Sequence, residues 1–240
     1  DPPMIITAEN LAEKYGITRE ECDEFAFNSH RKAAAAWERG FFDEEIFPVE
    51  IPQRKGDPIV FIKDECVRPD TSMEALAKLR PVMKKDGVVT AGNASPMNDG
   101  ASAILLMSAD KAEKLGLEPL AKVTAFASAG VDPTIVGIGP VYATRKLMEK
   151  TGLTIDDFDV IELNEAFAAQ SLACIKELEI NTDKLNPNGG PIAIGHPNAA
   201  SGGLLTARTV RYMQERDLKK GLISFCCGGG QGFSCLVERD

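Results

Sequence analysis

Three short stretches hold side chains that could do chemistry together: Asn164 in "ELNEAFA", His196 in "GHPNAASG", and Cys226 with Cys227 in "FCCGGGQG". They supply an amide, an imidazole and a thiol, a set suited to acyl transfer or to abstraction of a proton. Each also has a plainer reading. An Asn before a helix ordinarily caps it. A single His in a glycine-rich loop is more often structural, and a Cys at a strand end commonly packs as a small hydrophobe. His196 is one of only two histidines, and it sits in "NPNGGPIAIGHPNAASGG", residues 186–203, with little bulk around it.

All three stretches fall where a strand is expected to end, a helix to begin or a hairpin to turn, the usual place for functional groups in a layered α/β protein. "FDVIELN" reads as a strand running straight into the helix "EAFAAQSLACIKEL", and "AASGGLLTARTVRYMQERD" as a helix starting just after His196. "GLISFCCGGGQGFSCLVER" reads as a hairpin around a glycine turn. Upstream, "LAKVTAFAS" is a strand, and Pro140 opens the helix "PVYATRKLMEKTG". "ASAILLMSA" is a continuous apolar run, expected as a strand buried on both faces, followed by a helix ending at Gly116. Strands alternating with helices predict an α/β fold.

The first third is polar and helical. "TREECDEFAFNSHRKAAAAWERG" opens with Thr18 and Glu21 at capping-box spacing and closes on Gly40, and its His30 is expected to be solvated. Residues 41–70 are rich in proline and mixed charge, which predicts an irregular region with short strands. Thr71 and Glu74 then repeat the capping spacing before a short helix.

The 240 residues are 44% hydrophobic and 26% charged, enough for a globular core. The net charge of -9 argues against a nucleic-acid surface. No apolar run is long enough to span a membrane. Six cysteines without CxxC spacing and two distant histidines leave no zinc site, so no metal is expected. A reducing cytoplasm is the simplest setting. No signal-peptide pattern is seen, and the start at Asp1 is read as a processing or fragment boundary.

Many motifs occur in a familiar order: "TAEN", "KLRP", "VTAGNASPMNDGASA", "GVDP", "GIGP", "NEAFAAQ", "NGGPIAIGHP", "ASGG" and "CCGGGQG". With these the chain resembles the C-terminal part of a thiolase of the acetyl-CoA acetyltransferase type, over essentially its whole length. The resemblance implies a thiolase-like layered α/β/α fold, C-terminal half plus loop domain. Residues 1–97 would be loop domain, 98–118 a strand and helix of the N-terminal core half, and 119–240 the C-terminal domain. It implies that Cys226 takes the α-proton of an acyl-CoA and that Asn164 holds a water in one oxyanion hole. Gly228 N–H would donate in the other, and His196 would serve the nucleophilic thiol and a thioester oxygen. One such donor is typically worth ~3 kcal/mol. Ser95 and Met4 would contact the substrate's CoA arm, and no cofactor is implied beyond the coenzyme A thioester itself.

The family's nucleophilic cysteine belongs to the N-terminal half, and none of the six cysteines stands in a matching motif. The expectation is therefore that the N-terminal half is absent, that a second chain resembling it supplies the nucleophile, and that the assembly is a homo- or hetero-oligomer. A non-catalytic acyl-CoA-binding or scaffolding subunit is the alternative. A ketoacyl synthase is disfavoured, since such enzymes resemble a two-histidine pattern absent here. Pro3, Pro191, Asn198, Ala199 and Cys227 depart from the usual family residues, Cys227 being an added thiol with a packing role.

Overall fold

The computed structural model describes residues 2–240. Two helices come first, α1 (Met4–Tyr15) and α2 (Arg19–Glu38). The capping box of α2 forms as expected: Thr18 Oγ1 accepts from the Glu21 N–H, and the Glu21 carboxylate accepts from the Thr18 N–H at 2.7 Å. His30 corrects its expectation. It is only 6% exposed, and its Nδ1 accepts the Arg68 N–H at 3.1 Å. The following loop folds back over α2 and packs Val67 beside Ala33, covering a face that would be wet on an isolated helix.

A 3-10 turn (Phe41–Glu44) leads to the antiparallel pair β1 (Val49–Ile51) and β2 (Ile59–Phe61), every residue of which is exposed. In the short α3 (Met73–Ala77) the cap is Ser72, not Thr71: Ser72 Oγ accepts the Ala75 N–H at 3.2 Å. Thr71 and Ser72 offer the same chemistry, and the burial of Leu76 selects the register.

"ASAILLMSA" overturns its prediction. Residues 101–107 form neither strand nor helix, and Leu105 and Leu106 are 80% and 72% exposed. Among the described residues no strand ladder pairs with them. An apolar run becomes a buried strand only beside an edge that satisfies its backbone. α4 (Ala109–Leu115) follows and ends on Gly116 as expected.

From there the alternation holds: β3 (Lys122–Gly130), α5 (Gly139–Thr151), β4 (Val160–Leu163), α6 (Ala168–Leu178), α7 (Pro191–Ile194), α8 (Ser201–Arg216), β5 (Lys220–Cys227) and β6 (Gln231–Glu238). The sheet order is β3-β6-β5-β4, with β4 and β5 parallel and the other pairs antiparallel. Strand side chains alternate between two cores. Ile161, Leu163, Leu222 and Leu236 join residues of α1, α5 and α6 on one face. Val160, Ile223 and Val237 join Leu205 and Met213 of α8 on the other. The result is a layered α/β/α sandwich in which β4 and the middle of β5 are buried on both faces, whereas the edge strand β3 buries only Ala125 and Ala127.

Candidate active site

Asn164 sits one residue past β4, at the end of the parallel ladder. Its N–H donates to Ser224 O on β5 at 2.9 Å, two residues before Cys226, which places the amide beside the strand that carries the thiols. Asn164 does not cap the helix it precedes: α6 begins only at Ala168, after Phe167 and without a side-chain cap. The expected direct run from strand into helix is thus broken by Glu165–Phe167. The Asn164 side chain is 1% exposed, and neither Oδ1 nor Nδ2 has a partner. Leaving one such buried group unpaired costs about 1–3 kcal/mol.

Glu165, next in the chain, clamps the surroundings. Its buried carboxylate accepts Ser29 Oγ and Asn186 Nδ2, each at 2.7 Å, and the Ile192 N–H at 3.3 Å. Burial raises its pKa, while these three donors favour the charged form. The clamp fixes the loop before α7 against the Asn164 turn.

His196 follows α7 through Gly195, whose φ of 103° only glycine adopts without strain. A Cβ there would lie 2.5 Å from Asn98 Oδ1. That contact is needed, because the His196 N–H donates to Asn98 Oδ1 at 3.1 Å and to Pro96 O at 3.2 Å. The half-buried imidazole places Nδ1 2.6 Å from Ser201 Oγ in the first turn of α8. Burial lowers the His196 pKa, so the ring is neutral at pH 7 and able to accept a proton. Among the described residues no cysteine hydrogen-bonds it.

Cys226 and Cys227 end β5, opposite Gly232 and Gln231 of β6. Burial, and then the adjacent Cys227 thiol, push Cys226 up to about 12, and burial also raises Cys227. Both are protonated at neutral pH. Gly228 opens the turn beyond the β5–β6 ladder and is exposed, while Gly229 and Gly230 carry its positive φ values.

Residues 94–102 form a strap across these junctions. The Ser95 N–H and Oγ both donate to Ala166 O at 3.0 Å, Met97 bridges to His196, and Ser102 Oγ donates to Ala200 O at 2.9 Å. Gly202 lies against the Phe225 ring, bringing the start of α8 to the end of β5. Asn164, His196, Cys226, Gly228 and Ser95 therefore belong to one connected end of the sheet. Met4 is not joined to it by any hydrogen bond. It opens α1, 42% exposed, with its carbonyl accepting from Thr7 Oγ1. Sequence reasoning missed Glu165, Ser29, Asn98 and Ser201. Ser201 alone left a local signal, a hydroxyl at a helix start near the histidine.

A pocket of about 340 Å³ lined by Glu118, Lys122, Gln214 and Glu238 lies at the opposite end of the sheet. Among the described residues no cluster of three metal-ligating side chains occurs, and no helix is long and apolar enough to cross a membrane.

The chain matches the family model described as thiolase, C-terminal domain over residues 117–239, and that described as thiolase, N-terminal domain over residues 1–110. It is 57% identical over 240 residues to an acetyl-CoA acetyltransferase of Pseudomonas aeruginosa, covering 100% of this chain and 61% of that one. The crystal structure of the Bacillus anthracis acetyl-CoA acetyltransferase superposes with a TM-score of 0.96 at 48% identity, over 98% of this chain and 59% of that one. Human mitochondrial 3-ketoacyl-CoA thiolase gives 0.93 at 43% identity, over 99% and 60%. The chain thus spans about three-fifths of the length of these relatives. One expectation is corrected. The N-terminal half is not absent, since residues 1–110 match its family model, and with both domains matched in one chain the comparisons give no support to a separate partner carrying it.

Proposed function

The chain belongs to the thiolase family, and from that premise we propose that it acts as an acyl-CoA C-acyltransferase, joining two acetyl-CoA into acetoacetyl-CoA with release of CoA, and the reverse. The observation that carries this reading is the buried, unpartnered Asn164 amide beside the strand bearing Cys226. In condensation the Cys226 thiol first passes its proton to a departing CoA thiolate, and the thiolate so formed takes a proton from the α-carbon of one acetyl thioester. The resulting carbanion attacks the carbonyl of the other, a C–C bond forms, a C–S bond breaks, and the departing thiolate is protonated. Asn164 and the Gly228 N–H steady the developing oxyanions, and the neutral His196 exchanges protons with thiol and thioester. A Cys226 thiol protonated at neutral pH suits it as proton donor in thiolysis.

Ser95 and Met4 are read as contacts of the CoA arm, with no cofactor besides that substrate. The assignment of residues 1–97 to a loop domain, 98–118 to the N-terminal core half and 119–240 to a C-terminal domain belongs to the same reading. So does an oligomer, favoured by exposed Val49, Ile51, Ile59 and Phe61, and a reducing cytoplasm, favoured by six free cysteines. Cleavage of acetoacetyl-CoA by CoA tests the proposal. Cys226→Ala is expected to lose about 10²–10⁴-fold while Cys227→Ala stays active. Binding of acetyl-CoA without any turnover by the unaltered protein would instead favour the non-catalytic reading.

A further inference from the structure

The geometry points to Ser201 as a positioning residue that fixes His196 in its Nδ1–H tautomer, leaving the Nε2 lone pair free for the reaction. The role in turnover rests on the reading of His196 given above; the tautomer does not.

A serine hydroxyl has one proton to give and lone pairs to accept with. Ser201 Oγ has two partners, Pro197 O at 3.0 Å and His196 Nδ1 at 2.6 Å. A carbonyl oxygen can only accept, so the hydroxyl proton goes to Pro197 O, the back-bond to residue i−4 common for a serine in a helix. The remaining Oγ lone pair then receives a proton from Nδ1. The reverse arrangement would turn an Oγ lone pair toward a carbonyl at 3.0 Å. That carbonyl already takes the Ala200 and Ser201 N–H groups at 2.8 and 2.9 Å, so it is held in place and cannot swing away. Ser201 is 6% exposed, which shields the pair from water. With Nδ1 protonated, the neutral ring carries its basic site on Nε2, and no protein group occupies that atom among the described hydrogen bonds.

His30 provides the opposite case within the same chain. Its Nδ1 faces the Arg68 N–H at 3.1 Å, a group that can only donate, so its neutral ring must carry the proton on Nε2. The only two histidines of the protein are therefore held in opposite tautomers.

The test is a long-range proton–nitrogen correlation spectrum of the nitrogen-15-labelled protein at pH 7.5, with His30→Gln assigning the two rings. The expected spectrum has a pyrrole-type Nδ1 and a pyridine-type Nε2 for His196, and the reverse for His30. Ser201→Ala should move the His196 nitrogens toward tautomer averaging while leaving His30 unchanged, and Ser201→Thr should restore them. In acetoacetyl-CoA thiolysis, Ser201→Ala should lower kcat by about tenfold, the scale of one lost hydrogen bond, with KM little changed. A protonated Nε2 on His196 in the unaltered protein overturns the inference, and that reading stands even if Ser201→Ala does not fold. An unchanged His196 spectrum in folded Ser201→Ala overturns it as well. Correct tautomers in a protein without turnover would leave the inference standing and count against the acyl-transfer reading alone.

Discussion

In β5 and β6, Leu222, Ile223, Leu236 and Val237 are at most 2% exposed, and β5 pairs with a strand on each side. In residues 101–107 an equally apolar sequence, with Ile104, Leu105, Leu106 and Met107, is exposed and unpaired. The first holds its residues at strand ends within a closed hydrogen-bond ladder. The other continues from the 94–102 strap, which is stitched on by a few hydrogen bonds through Ser95, Asn98 and Ser102. Apolar character decides burial only where the backbone also finds partners. Reactive groups at strand ends inherit the rigidity of the sheet, whereas strap residues can only adjust them.

The largest contrast should appear in catalysis. His196→Asn removes the imidazole and should slow thiolysis by about 10²–10⁴-fold. Asn98→Ala removes the strap's acceptor for the His196 N–H, which Pro96 O still accepts, together with the Asn98 Nδ2 bond to Cys66 Sγ. That variant should lose about tenfold or less, the scale of one hydrogen bond. Steady-state rates for both variants decide whether the strap positions or participates. Equal losses would erase the distinction.

A smaller contrast lies in stability. Ile223→Ala leaves a cavity between β5 and α8 and should cost about 2–5 kcal/mol in urea unfolding. Leu105→Ala, at a side chain 80% exposed, should stay within about 0.5 kcal/mol. A large effect at Leu105 would show that the run is buried in solution after all.

Two buried groups, on α2 and β4, make stability depend on pH with opposite signs. Burial, with the Arg68 charge second, lowers His30 to about 4, below its ordinary 6.5. Between those values the unfolded chain binds a proton that the folded one refuses, so stability is lost as pH falls from 6.5 toward 4. Burial raises Glu162 on β4 to about 8, with both oxygens unpartnered. Here the folded state keeps a proton that the unfolded chain releases, so stability is lost as pH rises from 4.5 toward 8. His30→Gln should flatten the acid limb of a melting-temperature profile, and Glu162→Gln the neutral-to-alkaline limb. Matching profiles for the two variants would mean that neither group titrates as its burial requires.

Most helices and strands beyond residue 119 were legible because their apolar patterns matched the faces they bury; β3 is the exception, with Val123 and Phe126 exposed. Asn164, His196 and Cys226 were legible from their positions at strand and helix ends and from the motifs around them. The restraints on them were not. Asn98 and His196 are 98 residues apart, and Ser29 and Glu165 are 136 apart, so neither bond leaves a trace in local spacing. His30 was misread for the same reason: the loop that buries it starts beyond the helix that carries it.

The smallest effect concerns the one-residue error at the start of α3. Thr71 and Ser72 are adjacent hydroxyl residues, and only Ser72 accepts an N–H of the first turn, that of Ala75. Removing a serine cap costs about 0.5–2 kcal/mol. The lower end is expected here, because α3 is five residues long and buries little besides Leu76. Thr71 makes no side-chain bond to the helix and is only half-buried, so Thr71→Ala should be close to neutral. Urea unfolding of the two alanine variants therefore has a defined order, Ser72→Ala below Thr71→Ala. The reverse order would return the cap to the register in which Glu74 completes a capping box. α3 also supplies the Leu76 carbonyl that accepts from Arg19 Nη2, and Arg19 Nε binds Asp23 on α2. A shifted register would move that carbonyl, so the same measurement reports how firmly residues 41–108 are tied to α2.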